Sequence, residues 1–267
     1  MKLSIVLSTQ PASFKAIAYQ GNLKRNIANI ARLGYDGVEL AVRDPKLLDF
    51  DMLEAALINS ELPVPAIGTG QAYGEEGLSL TSRDEGIRSR AIKRVRSHAG
   101  LAAQLGAVVI IGLVRGKSEG GRKPQQTLDQ LLESLRECAR TNPGVKFAIE
   151  PINRYETDLV NTVASGLDLV NRLGLENVGL LLDTFHMNIE EPDMLASIRQ
   201  ARERLFHFHV ADSNRWYPGA GHIDFKAILE VLNQIGYSGF VSAEILPLPD
   251  PATAAEKTIE NMRALVA

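Results

Sequence analysis

Short apolar runs alternate along the chain with longer segments whose apolar residues recur at helical spacing. Leu3 to Leu7 is the first run, followed after a loop by NLKRNIANIARLG. Gly37 to Leu40 precedes DMLEAALINS, and PVPAIG leads through a long polar loop to RDEGIRSRAIKRVRSHAGLAAQLG. AVVIIGLV precedes PQQTLDQLLESLRECAR, VKFAIE precedes TVASGLDLVNRLG, and VGLLLD precedes PDMLASIRQARER. LFHFHV is followed by DFKAILEVLNQIG, and FVSAEI by a terminal helix from about Ala252. Eight strand–helix units of similar size predict a parallel sheet closed into a single (β/α)8 TIM barrel over residues 1–267. An open doubly wound sheet is the alternative, but it does not normally use eight evenly spaced units.

The remaining bulk properties narrow the class. The chain has 267 residues, 45% of them hydrophobic and 23% charged, as in an ordinary globular protein. The formal net charge is −3 and no run of Lys or Arg is present, which argues against nucleic acid as a partner. The one cysteine, Cys138, reads as a small buried residue of a helix. MKLSIVLSTQP is too short for a membrane span and lacks a cleavage site, so it reads as the first strand of a cytoplasmic protein with no membrane partner. GTGQAYG contains G-x-G, but no helix is expected directly after it, so a dinucleotide site is not expected.

In a barrel of this kind the active site lies at the C-terminal ends of the strands. The last four runs each deliver one candidate ligand there: Glu150, Asp183, His209 and Glu244. Any one alone is an ordinary cap, surface charge or interior histidine. Four buried together need a cation, because carboxylates are costly to bury unpaired. Three carboxylates and an imidazole favour one divalent ion of the Mn²⁺, Mg²⁺ or Co²⁺ type over Zn²⁺. His207 and His209 share a face of their strand. His209, nearer the rim, reads as the ligand, and His207, a layer deeper, as a hydrogen-bonded interior histidine. Glu156, His186 and Arg215 lie three to six residues further along and could fold over a substrate. Arg115 and Arg43 follow the fourth and second runs, where a guanidinium could fork a substrate carboxylate. Gln71 and Tyr73 are candidate substrate contacts, and Trp216 a candidate cover for the mouth.

The segments IEPINRYET, LLDTFHMNIEE, HFHVADSNRWYPGAGHIDF and SAEILP resemble the sugar isomerases and epimerases of the xylose isomerase-like barrel superfamily, and within it the D-tagatose/D-psicose 3-epimerase group. VELAVRDP, PAIGTGQAYGEEGLSLT and VVIIGLVRG are similar to its 5-keto-L-gluconate epimerases. The resemblance implies one divalent metal, commonly Mn²⁺, on Glu150, Asp183, His209 and Glu244. It makes Glu150 and Glu244 the paired acid/base carboxylates and gives Glu156, His186 and Arg215 the substrate oxygens. The implied reaction is inversion of the carbon beside the carbonyl of a keto sugar or keto sugar acid, through a cis-enediolate. The implied assembly is a homodimer or higher homo-oligomer. Three alternatives remain at this point: a ketose 3-epimerase on neutral ketoses (D-tagatose, D-psicose or L-ribulose), an aldose–ketose isomerase, or a non-catalytic sugar-binding barrel. An endonuclease IV-like nuclease fits poorly with five histidines and a slightly negative charge.

Overall fold

The computed structural model describes residues 1–121 and 123–266. Its sheet comprises β1 (Lys2–Ser8), β2 (Tyr19–Gln20), β3 (Gly37–Ala41), β4 (Ala66–Gly68), β5 (Val108–Ile111), β6 (Phe147–Ile149), β7 (Val178–Asp183), β8 (Leu205–Val210) and β9 (Phe240–Ala243). All neighbours are parallel, and β1 pairs with β9 as well as with β3, which closes eight strands into a barrel. The two residues of β2 pair with the upper end of β1 beyond the reach of β9 and form no separate barrel strand.

Ten α-helices are described: α1 (Leu23–Arg32), α2 (Phe50–Ser60), α3 (Gly70–Glu76), α4 (Glu85–Leu105), α5 (Pro124–Arg140), α6 (Val163–Leu173), α7 (Thr184–Glu190), α8 (Met194–Ala201), α9 (Phe225–Gln234) and α10 (Pro251–Val266). Their starts follow from local chemistry. Asp84 accepts from the Ile87 amide to cap α4, Thr162 and Ser165 form a capping box on α6, and Pro124 occupies the first turn of α5. Each barrel strand thus carries the helix that its periodicity predicts.

Three features depart from the sequence reading. The run PVPAIG pairs only from Ala66. Pro63 and Pro65 lack the amide that a ladder needs, although their carbonyls still accept from Val38 and Val108. The segment GTGQAYG is not helix-free: α3 begins at Gly70, within it. A further short helix, α7, starts directly after β7, whose last residue, Asp183, caps it by accepting from the Phe185 amide. Both short helices contribute to the lining of the cavity at the rim, α3 through Gln71 and Gly74 and α7 through His186.

Inside the barrel, side chains divide into two halves. Ala66, Ile110, Ala148 and Leu181, joined by Val108 and Phe206, form an apolar plug under β4 to β7. Under β1, β3, β8 and β9 the inward positions are polar: Ser4, Glu39, His207 and Ser242, all buried. A register shift between β7 and β8 brings His207 opposite Leu181. An irregularity of this kind re-aims a side chain next to a functional site.

Candidate active site

The side chains of Glu150, Asp183, His209 and Glu244 meet at the C-terminal rim, on four consecutive strands or the residues just beyond them. One ligand atom from each lies within 4.8 Å of all the others. Glu150 follows β6 and Glu244 follows β9, so the two glutamates end an arc with Asp183 and His209 between them. Gly112 faces Glu150 at the end of β5. A Cβ there would stand 2.8 Å from Glu150 Oε2, so any other residue would displace the carboxylate from its present place.

Asp183 Oδ2 and His209 Nδ1 are buried and have no hydrogen-bond partner among the described residues. They are 3.9 Å apart, within the roughly 4.2 Å that two metal–ligand bonds of about 2.1 Å span. The electrostatics have the same sense. Burial, reinforced by Glu244, pushes the Glu150 carboxyl up to about 8. Asp183 and Glu244 are raised as well, by burial in the first place. His209 is pushed up to about 10: its burial opposes charge, but Glu39, then Glu244 and Glu150, outweigh it. All four groups favour a proton more than their free counterparts do. That is the signature of a site that demands positive charge, and the orphaned acceptors and oxygen-rich donor set fit one divalent ion.

Glu156, His186 and Arg215 surround this arc. Arg215 donates from one terminal nitrogen to Glu244 Oε2 at 2.8 Å and from the other to Glu156 Oε1 at 3.2 Å. Its guanidinium lies over the Phe185 and Phe14 rings, 4.7 and 5.1 Å from their centroids. The residue adopts a left-handed φ of 63°, an uncommon conformation that sets its direction into the cavity. His186 Nδ1 accepts from the Asn153 amide and side-chain Nδ2, so its proton sits on Nε2, 3.7 Å from Glu150 Oε1. Burial holds this imidazole well below its ordinary value, which keeps it a neutral donor. Replacing Arg215 by Ala is expected to remove a fixed cation from beside Glu244. The expected result is a fall in kcat/KM of roughly 100-fold with the fold intact, read by steady-state kinetics and circular dichroism.

Other expectations meet the structure less well. Arg115 does not reach the mouth. It is fully buried, and its guanidinium donates to the carbonyls of Gly112, Leu159 and Val160. Val160 holds a positive φ of 57°, costly for a β-branched residue, and Arg115 pins that strained turn. Arg115 therefore anchors the loop that carries Glu156 and is not a reader of carboxylates. Arg43 lies 3.9 Å from Glu76, outside the cavity lining. Gln71 does line the cavity, with Nε2 on Ser8 Oγ and a buried Oε1 that has no partner among the described residues. Tyr73 and Trp216 do not line it. The covering aromatic is Phe14, in the loop after β1, which no motif singled out.

A second buried group was also missed. Glu39, inside GVELA on β3, accepts from His207 Nε2 at 2.7 Å and from His209 Nε2 at 3.0 Å. Burial works against its charge, but the two imidazoles prevail and hold the carboxyl well below its usual range. The legible signal was a carboxylate in an otherwise apolar, fully buried strand. His207 is the hydrogen-bonded interior histidine that its depth implied.

This fold and rim define a barrel with a candidate metal site, and comparison with known proteins makes the class definite. The chain belongs to the xylose isomerase-like TIM barrel family, whose model matches residues 27–265. Within the family it stands among the carbohydrate epimerases, a class of isomerase. It is 33% identical over 236 residues to the L-ribulose 3-epimerase of Mesorhizobium japonicum, covering 86% of this chain and 78% of the relative. It is 28% identical over 270 residues to the 3-dehydro-D-guloside 4-epimerase of Escherichia coli, covering 96% and 98%. A solved L-ribulose 3-epimerase matches with a TM-score of 0.86 and 28% identity, over 99% of this chain and 94% of that one.

Proposed function

We propose that the protein is a ketose 3-epimerase that inverts the carbon beside the carbonyl of a neutral ketose. The observation that carries this reading is the pair of glutamates at opposite ends of one arc, with the cavity's guanidinium already engaged by carboxylates. In one direction Glu150 removes the proton from the carbon next to the carbonyl, leaving a cis-enediolate. Glu244 returns a proton to the opposite face, and the roles exchange in the reverse reaction. One divalent ion, Mn²⁺ in the first instance, held by Glu150, Asp183, His209 and Glu244, would supply Lewis-acid polarisation of the carbonyl. Arg215 fixes the direction of Glu244, and His186 offers its Nε2–H to a substrate oxygen on the Glu150 side. Phe14 and Phe185 flank Arg215 and restrict water at the mouth.

The alternative substrate, a keto sugar acid such as 5-keto-L-gluconate, rests on VELAVRDP and VVIIGLVRG. The arginines of those two segments, Arg43 and Arg115, point to Glu76 at the end of α3 and to main-chain carbonyls. Among the described residues lining the cavity, Arg215 is the sole Arg or Lys, and Glu156 and Glu244 both bind it. A substrate carboxylate would have to compete with them.

A panel of D-psicose, D-tagatose and L-ribulose against 5-keto-L-gluconate tests the choice. The expected kcat/KM for the best neutral ketose exceeds that for the keto acid by at least roughly tenfold, the scale of one mismatched group in a pocket. The opposite order would overturn the neutral-substrate reading. Arg115→Ala is expected to lower stability by several kcal/mol, at about 1–3 kcal/mol for each carbonyl left unpaired, without changing that ratio.

A further inference from the structure

We propose that Glu39 is a positioning residue: it fixes His209 so that Nδ1, and not Nε2, is presented to the ion. The inference rests on the metal-site reading above and adds Glu39 and His207, which that reading does not use. His209 has two ring nitrogens with different surroundings. Nε2 contacts both oxygens of Glu39 at 3.0 Å, while Nδ1 faces Asp183 with no partner among the described residues. A carboxylate can only accept, so Nε2 must donate and Nδ1 is free to bind an ion when it carries no proton. Glu39 is itself held from the far side by His207, whose ring meets that of His209 edge to face with centroids 5.2 Å apart. Each of the three side chains is at most 2% exposed, so their mutual contacts are largely shielded from bulk solvent. The chain of contacts therefore runs from His207 to Glu39 to His209 across the polar half of the barrel interior.

These three groups could also be taken for a second ion site. Their spacing argues otherwise. Adjacent ligands about 2.1 Å from one octahedral ion stand roughly 3.0 Å from each other, so the 2.7 Å between His207 and Glu39 is too short for two ligands of one ion. The observed 2.7 and 3.0 Å are hydrogen-bond lengths.

The test is a Mn²⁺ titration of the metal-free full chain by calorimetry. The wild type is expected to bind one ion, and Glu39→Gln to bind it roughly 10–100-fold more weakly, because a neutral amide, with one acceptor in place of two, no longer holds the Nε2 proton as a carboxylate does. Glu39→Asp restores the carboxylate and is expected to recover part of the affinity. Affinity in Glu39→Gln within twofold of wild type would overturn the positioning role alone, whereas a wild type that binds no ion overturns the site. Two ions in the wild type and one in the variant would replace the positioning role by a second ion site. A measurement on the wild type guards against a variant that fails to fold. In Mg²⁺-loaded protein, nitrogen-15 spectra are expected to place the His209 proton on Nε2, and a proton on Nδ1 overturns the inference.

Discussion

Glu150→Gln and Glu244→Gln are each expected to lose epimerase activity by at least roughly 10³-fold, about 4 kcal/mol of transition-state stabilisation. The amide matches the carboxylate in shape and can still offer an oxygen to an ion, but it cannot take up the substrate proton. Both residues serve as ligands and as bases, so lost activity alone does not separate the two roles. Asp183→Asn supplies the comparison. Asp183 touches the ion site without facing a partner across it, so excess Mn²⁺ is expected to restore much of its activity. The same excess is expected to do little for either glutamate variant. Recovery of Glu150→Gln by Mn²⁺ would reduce Glu150 to a ligand.

Metal removal is expected to have an effect of similar size, with a definite dependence on pH. Glu150, Asp183 and Glu244 are raised in the metal-free protein, chiefly by burial, and an ion must displace the protons they hold. The affinity for Mn²⁺ is therefore expected to rise as pH increases from the ordinary 4.5 of a glutamate to about 8, where Glu150 ionises. The sign for stability follows from the same shift. A carboxyl with a raised folded-state pKa contributes stability that is fully present below its ordinary value and is lost as pH rises through about 8. The metal-free chain loses that contribution across the window, while the loaded chain, with its carboxylates already ionised, has nothing to lose. The gain in Tm on adding Mn²⁺ should thus grow with pH. At a concentration about 1,000 times Kd it corresponds to about 4 kcal/mol and on the order of 10 °C. A gain that shrinks as pH rises contradicts the four-ligand site.

Much of this was legible in the chain because barrel strands and helices have different periods, and because a carboxylate ending an apolar run is conspicuous. Glu150, Asp183 and Glu244 each stand at such an end. His209 could be separated from His207 by its position along one strand face. What escaped depends on contacts remote in sequence. Glu39 lies 168 residues from His207 and 170 from His209, and nothing local marks a partner. Arg115 carries the same charge whether it faces a ligand or three carbonyls. Its burial was invisible because a surface loop and a strained turn at Val160 look alike in sequence. Phe14 sits in a stretch without periodicity, so its place over Arg215 required the fold. The helix α3 was hidden by its two glycines, Gly70 and Gly74, and by Gly77 just past its end, which suggest a loop.

The central claim is that two opposed glutamates move one proton beside a carbonyl. It is tested most directly by incubating the Mn²⁺-loaded protein with D-psicose, D-tagatose or L-ribulose in D₂O and following the sugar by proton NMR. The account predicts deuterium at C3 of substrate and product, with none at C1 or C4, and no incorporation with Glu150→Gln or Glu244→Gln. Epimerised product that retains its C3 hydrogen, or deuterium confined to C1, would contradict it.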